Sequence, residues 1–166
     1  MREPTFANLD CSIARTFVMV RDAWSFLILR DALGGIRHFE DFKLRLGIAR
    51  NVLTERLKHL VEFELLEKVD IGKRGLRFEY VPTGKAKELQ VALMSLMQWG
   101  DRWASGRGNE PVIAFDKVTG SPISPIQMTS KSGRQVQSDE LTYRAGRGAS
   151  RLTRRYLAKR TRSWRV

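Results

Sequence analysis

The chain has 166 residues, of which 42% are hydrophobic, and this is enough for one ordinary domain with an appendage. Its 30 lysines and arginines exceed its 18 acids, and the net charge of +12 favours a polyanionic partner such as DNA, RNA or an anionic membrane surface. A single cysteine, Cys11, excludes an internal disulfide and a cysteine-based zinc cage. Without a signal peptide or an apolar run of about 18 residues, we expect a soluble cytoplasmic protein that does not enter a membrane.

The first part of the chain predicts two helices. Apolar residues recur at helical spacing over residues 12–33, with a break near Asp22 and Ala23. Gly34 and Gly35 follow the second helix, where glycine commonly ends helices.

A helix-turn-helix pattern comes next. Residues 38–46 predict a short helix, Gly47 permits the positive φ of a tight turn, and residues 49–63 predict a further helix. The inner face of that helix is apolar, with Leu53, Leu57, Leu60 and Val61 at spacings of one, three and four. Polar residues, Asn51, Glu55 and Lys58 among them, lie opposite.

A β-hairpin is predicted after the second of these helices. Strands over roughly 66–71 and 76–81 flank the basic turn 72–75, and Pro82 is expected to stop the return strand. Thr83 then caps a long helix that runs to about Ala104. The order of elements predicts a mainly α fold with a small β-hairpin (α+β), a winged helix-turn-helix with a long dimerisation helix and a C-terminal extension.

The composition changes after residue 104. Residues 105–143 are rich in Pro, Ser, Thr and Gly, and the β-prone pieces 112–115 and 126–129 leave room for a small hairpin. Residues 144–166 form an arginine-rich tail, and residues 141–166 hold nine lysines and arginines and no acid. We interpret the tail as a disordered arm that adds phosphate contacts. A short basic amphipathic helix and a plain solvated tail are the alternatives.

Several short motifs resemble the HxlR family, a branch of the MarR-like winged helix-turn-helix regulators. They lie at 11–15 (CSIAR), 27–31 (LILRD), 52–57 (VLTERL), 65–67 (LLE) and 83–85 (TGK), together with Trp24, Phe39, Phe42 and Tyr80. The resemblance covers roughly residues 8–104, which we take with the N-terminus as a DNA-binding domain over 1–104. One departure is Ser12, where many members have proline.

The resemblance implies a homodimeric transcription regulator that binds double-stranded DNA, with the first and last helices at the dimer interface. The predicted interface residues are Phe17, Leu89, Leu93, Leu96, Trp99 and Trp103. In some relatives a cysteine at the place of Cys11 senses oxidants or electrophiles, so a small-molecule or oxidant effector is a candidate partner. A reactive thiol needs exposure and a cationic neighbour, and Arg15 is one helical turn away.

The DNA contacts are predicted from side-chain chemistry. Arginine and asparagine form paired hydrogen bonds with guanine and adenine edges, and the N-terminal end of a recognition helix usually touches bases. The candidates on the second helix of the motif are Arg50, Asn51, Thr54 and Lys58. On the wing they are Lys73, Arg74 and Arg77, and near the preceding helix they are Arg37 and Lys43.

No enzyme signature, metal site or cofactor motif is found, so the sequence predicts neither catalysis nor a cofactor. The sequence therefore predicts a sequence-specific DNA-binding regulator that acts as a homodimer on an inverted-repeat operator, at the nucleoid in the cytoplasm. The alternative is a non-specific DNA- or RNA-binding protein that uses its basic tail.

Overall fold

The computed structural model describes residues 6–72 and 77–163, with side chains as far as Lys159. The chain divides into two compact units, one of residues 19–126 and the other of residues 1–18 with 127–166. These units differ from the predicted ranges 1–104, 105–143 and 144–166. None of the described helices is long and apolar enough to cross a lipid bilayer.

The first four helices follow the predicted order. They are α1 (Ser12–Val20), α2 (Ala23–Leu33), α3 (Phe39–Leu46) and α4 (Arg50–Glu62). Between α1 and α2 the side chain of Asp22 accepts a hydrogen bond from the backbone N–H of Ser25 at 3.1 Å and so begins a new helix.

The turn between α3 and α4 depends on Gly47. Its φ of 61° is left-handed, and its N–H donates to the carbonyl of Lys43 at 3.0 Å, which ends α3. Ile48 follows and is buried in the core. This confirms the tight turn of the predicted helix-turn-helix.

The core of the larger unit forms around α4. Its Leu53, Leu57 and Leu60 are fully buried, and Val61 is half-buried against the same cluster. The apolar partners come mainly from α2, α3 and the strands, and they include Ile28, Leu29, Phe42, Leu65 and Leu66. The inner face of α4 is therefore the predicted one.

The wing is a two-stranded antiparallel sheet of β1 (Leu66–Asp70) and β2 (Phe78–Pro82). Leu66 lies opposite Pro82, so the proline predicted to stop the return strand is instead its last paired residue. A proline is tolerated there because its missing N–H falls at the end of the ladder. The turn residues 73–76 lie outside the described residues.

The predicted long helix from residue 83 to 104 is wrong as one continuous element. It divides into α5 (Gly84–Glu88), α6 (Gln90–Gly100) and a π-helical turn at Asp101–Ser105. Leu89 separates α5 from α6, because its N–H bonds the carbonyl of Ala86 three residues back and its side chain packs on the core.

The extension 105–143, where a small hairpin is possible from the sequence, contains two short antiparallel turns. Phe115 forms one isolated bridge with Pro122, and Thr129 forms another with Gln135. Each bridge closes within its own short segment, so the pieces 112–115 and 126–129 do not pair with each other.

The basic tail is a helix, α7 (Arg151–Ser163), and the disordered arm is therefore wrong as a description of its conformation. The alternative of a short basic helix is the one observed. The helix is stabilised at its start by Ser150, whose hydroxyl accepts a hydrogen bond from the N–H of Thr153 at 3.2 Å.

The orientation of α4 can be tested by two substitutions on opposite faces. Leu57→Ala should lower the free energy of unfolding by about 2–5 kcal/mol, because it opens a cavity among buried side chains. Glu55→Ala, on the exposed face, should change it by no more than about 0.5 kcal/mol. Urea unfolding followed by circular dichroism measures both, and equal losses would contradict the orientation.

Candidate nucleic-acid interface

The outward face of α4 consists of polar side chains that the core does not cover. Arg50, Asn51, Thr54 and Lys58 are all exposed, on the side away from the buried leucines. The Thr54 hydroxyl donates to the carbonyl of Arg50 at 2.8 Å, and the residue remains exposed. These are the residue types that recognise base edges in a major groove.

Arg50 is held by residues of α3. Its guanidinium forms an ion pair with the carboxylate of Glu40 and lies 5.0 Å from the centre of the Phe39 ring. The other oxygen of Glu40 is 3.9 Å from the ammonium group of Lys43. Glu40 therefore connects two predicted DNA contacts, and sequence reasoning missed it because the pairing depends on how α3 and α4 pack. Exposed pairs of this kind contribute little stability, so they can exchange partners.

A second residue that the sequence analysis missed is Arg56. Its Nε lies 2.7 Å from Oδ2 of Asp22, and its side chain is only 18% exposed. Because Asp22 also caps α2, this ion pair joins the start of α2 to the middle of α4 and fixes the direction of α4. The sequence indicates that Asp22 lies at a helix start, but it does not indicate that Asp22 pairs with Arg56, 34 residues away.

Arg37, a predicted backbone contact, makes hydrogen bonds within the protein. Its guanidinium donates to the carbonyl of Ile36 at 2.9 Å and to that of Ala32, near the C-terminal end of α2. The side chain is half-buried. A cation at this place is favourable, because the C-terminal end of a helix carries partial negative charge.

The base of the wing is fixed by Asp70. Its carboxylate accepts hydrogen bonds from the backbone N–H groups of Gly72 at 2.9 Å and Arg77 at 3.4 Å. The side chain of Arg77 is exposed, and Lys73 and Arg74 lie outside the described residues.

On the strands, the ammonium group of Lys68 lies 3.8 Å from the centre of the Phe78 ring. Burial raises the pKa of the half-buried Tyr80 phenol on β2.

The predicted dimer residues divide into two groups. Leu96, Trp99 and Trp103 are strongly exposed, with 65% and 68% of the two tryptophans open to solvent. Leu89 and Leu93 are half-buried, and Leu89 packs against the core of its own chain. Phe17, in the smaller unit, is exposed.

An open groove of about 530 Å³ lies beside these tryptophans. Its walls are α6 with the π-helical turn on one side and residues 110–126 on the other. Gln98 holds the two walls together, because its amide donates to the carbonyl of Ser124 at 3.1 Å and accepts from the N–H of Ile126 at 2.8 Å. Part of the extension is thus packed on α6.

Cys11 is a free, exposed thiol directly before α1. Arg15 lies one turn along the helix, but its guanidinium is 3.6 Å from the carboxylate of Asp10. The cation is therefore shared with an acid. Among the described residues no group of three His, Cys, Asp or Glu side chains is placed to hold a metal ion.

A family model described as HxlR-like helix-turn-helix matches residues 19–107, more than half of the chain. The protein belongs to the HxlR-like family. Its relatives include an uncharacterised HTH-type transcriptional regulator of Mycobacterium tuberculosis, MT3179, which is 31% identical over 82% of this chain and 87% of its own. The HTH-type transcriptional regulator YodB of Bacillus subtilis is 25% identical over 52% of this chain and 79% of its own.

Solved structures resemble most of this HxlR-like chain. The candidate transcription factor PA1374 from Pseudomonas aeruginosa is 40% identical with a TM-score of 0.62, and the match covers 88% of this chain and 99% of that one. PA1607, also a candidate transcription factor, has a TM-score of 0.75 at 30% identity, over 84% and 96% of the two chains. The protein is thus a transcription regulator with a helix-turn-helix DNA-binding fold, from a family of regulators and not of enzymes.

The two basic residues around α3 should respond differently to substitution. Arg37→Gln should lower the free energy of unfolding by about 1–2 kcal/mol, because it removes charged hydrogen bonds to half-buried carbonyls. Lys43→Gln should leave stability within about 0.5 kcal/mol and weaken DNA binding, since its ammonium is exposed. Thermal unfolding and fluorescence anisotropy with labelled DNA measure the two quantities. An unchanged stability of the Arg37 variant would contradict its capping role.

Proposed function

We propose that this HxlR-like protein is a sequence-specific regulator that binds an inverted-repeat operator as a homodimer. The observation that supports it most directly is the outward polar face of α4, which is exposed while its leucines are buried behind it. A helix presented in this way fits the major groove of B-form DNA.

Each exposed residue of α4 has a proposed role. Asn51 and Arg50 bind base edges near the N-terminal end of the helix, where Arg50 exchanges Glu40 for a guanine or a phosphate. Thr54 contacts a thymine methyl group or a phosphate. Lys58, further along the helix, contacts a phosphate.

Contacts with the DNA backbone are proposed for the residues around α4. Lys43 on α3 and Arg37 before it lie toward the phosphates, and the wing contributes Lys73, Arg74 and Arg77. The guanidinium of Arg37 already donates two hydrogen bonds to carbonyls within the protein. We therefore propose that Arg37 contacts a phosphate while it keeps these two bonds.

Dimerisation would cover the exposed apolar residues of α6 and its π-helical turn. Leu96, Trp99 and Trp103 are large and solvent-exposed, and such a patch usually marks an interface. Phe17 of α1 and the half-buried Leu89 and Leu93 complete the proposed interface. A two-fold axis then places two copies of α4 on half-sites one or two helical turns apart.

Regulation by an oxidant or electrophile at Cys11 is also proposed. The thiol is exposed and can be reached by such reagents, although Arg15 is paired with Asp10. A change at α1 would alter the spacing of the two copies of α4. A regulator acts where the chromosome lies, so we propose that it works at the nucleoid in the cytoplasm.

Selection of bound fragments from random DNA tests the proposal as a whole. The full-length protein should enrich a discrete inverted repeat and protect it in a footprint, with and without an oxidant in parallel. Enrichment without any common sequence would instead support a non-specific nucleic-acid binder that depends on the basic tail.

Arg50→Ala should weaken operator binding by about 1–3 kcal/mol and relax the preference at one base pair. Lys58→Ala should weaken binding about equally on all sequences, because a phosphate contact carries no base information. Glu40→Gln is the matched control, because it removes the ion pair and leaves the guanidinium of Arg50 in place. Any effect of Arg50→Ala that Glu40→Gln does not reproduce is then due to the lost DNA contact of Arg50. Anisotropy titrations with operator variants measure these effects, and equal weakening by Arg50→Ala on every sequence would refute a base-reading role.

The double substitution Trp99→Glu with Trp103→Glu should convert a dimer into a monomer of 19.1 kDa and abolish tight operator binding. Two carboxylates at the centre of an apolar interface would be buried without partners. Val118→Glu is the control, because Val118 is equally apolar and 92% exposed outside the proposed interface. Sedimentation velocity gives the masses, and a double variant that remains dimeric would place the interface elsewhere.

A further inference from the structure

The helix α7 lies outside the residues that match the HxlR-like family model, and it presents a row of cations. Thr153 and Leu157 are half-buried and lie four residues apart, so they mark the packed side of α7. Arg151, Arg155 and Lys159 also repeat every four residues, and all three are exposed. At about 100° per residue, this row is centred opposite the packed side.

The start of α7 is fixed by contacts with the N-terminal segment. The backbone N–H of Ser150 donates to the carboxylate of Asp10 at 2.7 Å. Hydrogen bonds from the side chain of Thr153 and from Ser150 lower the pKa of Asp10 to about 2, so this carboxylate remains ionised at physiological pH. A negative charge at the N-terminal end of a helix is favourable.

A different arginine is used to close the loop before the helix. Arg154 donates from Nε to the carbonyl of Ala149 at 3.0 Å and from its terminal nitrogen to that of Arg147 at 2.8 Å. It lies outside the row and stabilises the first turn. Among the α7 cations whose side chains the structure describes, one therefore orders the helix and three face outward.

The charge of the row is not compensated within the described part of the chain. No carboxylate there lies within ion-pair distance of Arg151, Arg155 or Lys159, whereas Arg50 and Arg56 each have one. The segment 141–166 contains no acid at all. Three uncompensated cations on one side of a helix attract a polyanion.

The length of the row matches a phosphate backbone. Eight residues of helix separate its ends, which corresponds to about 12 Å at about 1.5 Å per residue. Phosphates on one DNA strand advance by about 3.4 Å along the axis, so the row spans roughly three of them. The forked guanidinium groups of Arg151 and Arg155 are suited to paired hydrogen bonds with phosphate oxygens.

We propose that the α7 row, Arg151, Arg155 and Lys159, is a second DNA contact that binds phosphates without reading sequence. The choice of double-stranded DNA as the partner rests on the proposed function. An anionic membrane is less well matched, since a membrane helix needs a continuous apolar face for insertion. Here Leu152 and Tyr156 are exposed to one side of the row, and Leu157 belongs to the packed side.

The test replaces the row by Arg151→Gln, Arg155→Gln and Lys159→Gln in the full-length chain. Binding to an operator fragment and to a scrambled fragment of equal length is measured over a range of salt concentrations. The slope of log affinity against log salt should fall by roughly 0.9 for each phosphate that the variant no longer binds, up to about 3 per subunit. Affinity should fall by the same factor on both fragments, so that the ratio between them is unchanged.

A matched control removes three exposed lysines elsewhere, by Lys87→Gln, Lys117→Gln and Lys131→Gln, with the same change in net charge. Circular dichroism verifies that both variants keep their helix content. A row variant whose salt slope equals that of the control would overturn the proposal. The proposal would also be overturned if the row variant lost binding to phosphatidylserine vesicles while the salt slope of its DNA binding remained that of the parent protein.

The same experiment distinguishes a failure of the proposed function from a failure of the α7 proposal. If the parent protein binds operator and scrambled DNA equally, the sequence-specific function fails. The difference in salt slope between the row variant and the control on scrambled DNA then still decides whether the α7 row binds phosphates.

Discussion

Burial of the leucine face of α4 is the interaction on which the rest of the DNA-binding unit depends. Each of Leu53, Leu57 and Leu60 is removed from water, which contributes about 1.5–3 kcal/mol per side chain. The exposed pairs on the opposite face contribute about 0–1 kcal/mol each. The inner face therefore determines where the helix lies, and the outer face remains able to change partners. The ion pair of Arg56 with Asp22 fixes the direction of the α4 axis, which apolar packing alone does not specify.

Much of the winged helix-turn-helix could be predicted because its signals are local. The left-handed turn at Gly47, the leucine spacing of α4 and the cap at Thr83 are each encoded within a few residues, and the structure confirms all three. The candidate contacts on α4 were found for the same reason, since a helical face follows from residue spacing. Their predicted roles in DNA binding remain proposals.

The features that were missed or predicted wrongly depend on distant partners. The bond between Glu40 and Arg50 requires the packing of two helices, and no pattern in either helix reveals it. The run of like charges in the tail predicts a disordered arm, because charge patterning alone does not show what the run can pack against. The carboxylate that caps α7 belongs to Asp10, 140 residues earlier in the chain. The break at Leu89 likewise follows from a side chain that reaches the core.

The position of Glu40 has a kinetic consequence for a protein that must search a chromosome. In the proposed complex, the carboxylate of Glu40 beside α4 would repel phosphates, so an arbitrary stretch of duplex would be released sooner. A base pair that attracts the guanidinium more strongly than Glu40 does would prolong the encounter. One carboxylate would thus shorten the time that the protein spends on DNA lacking the matching base pair.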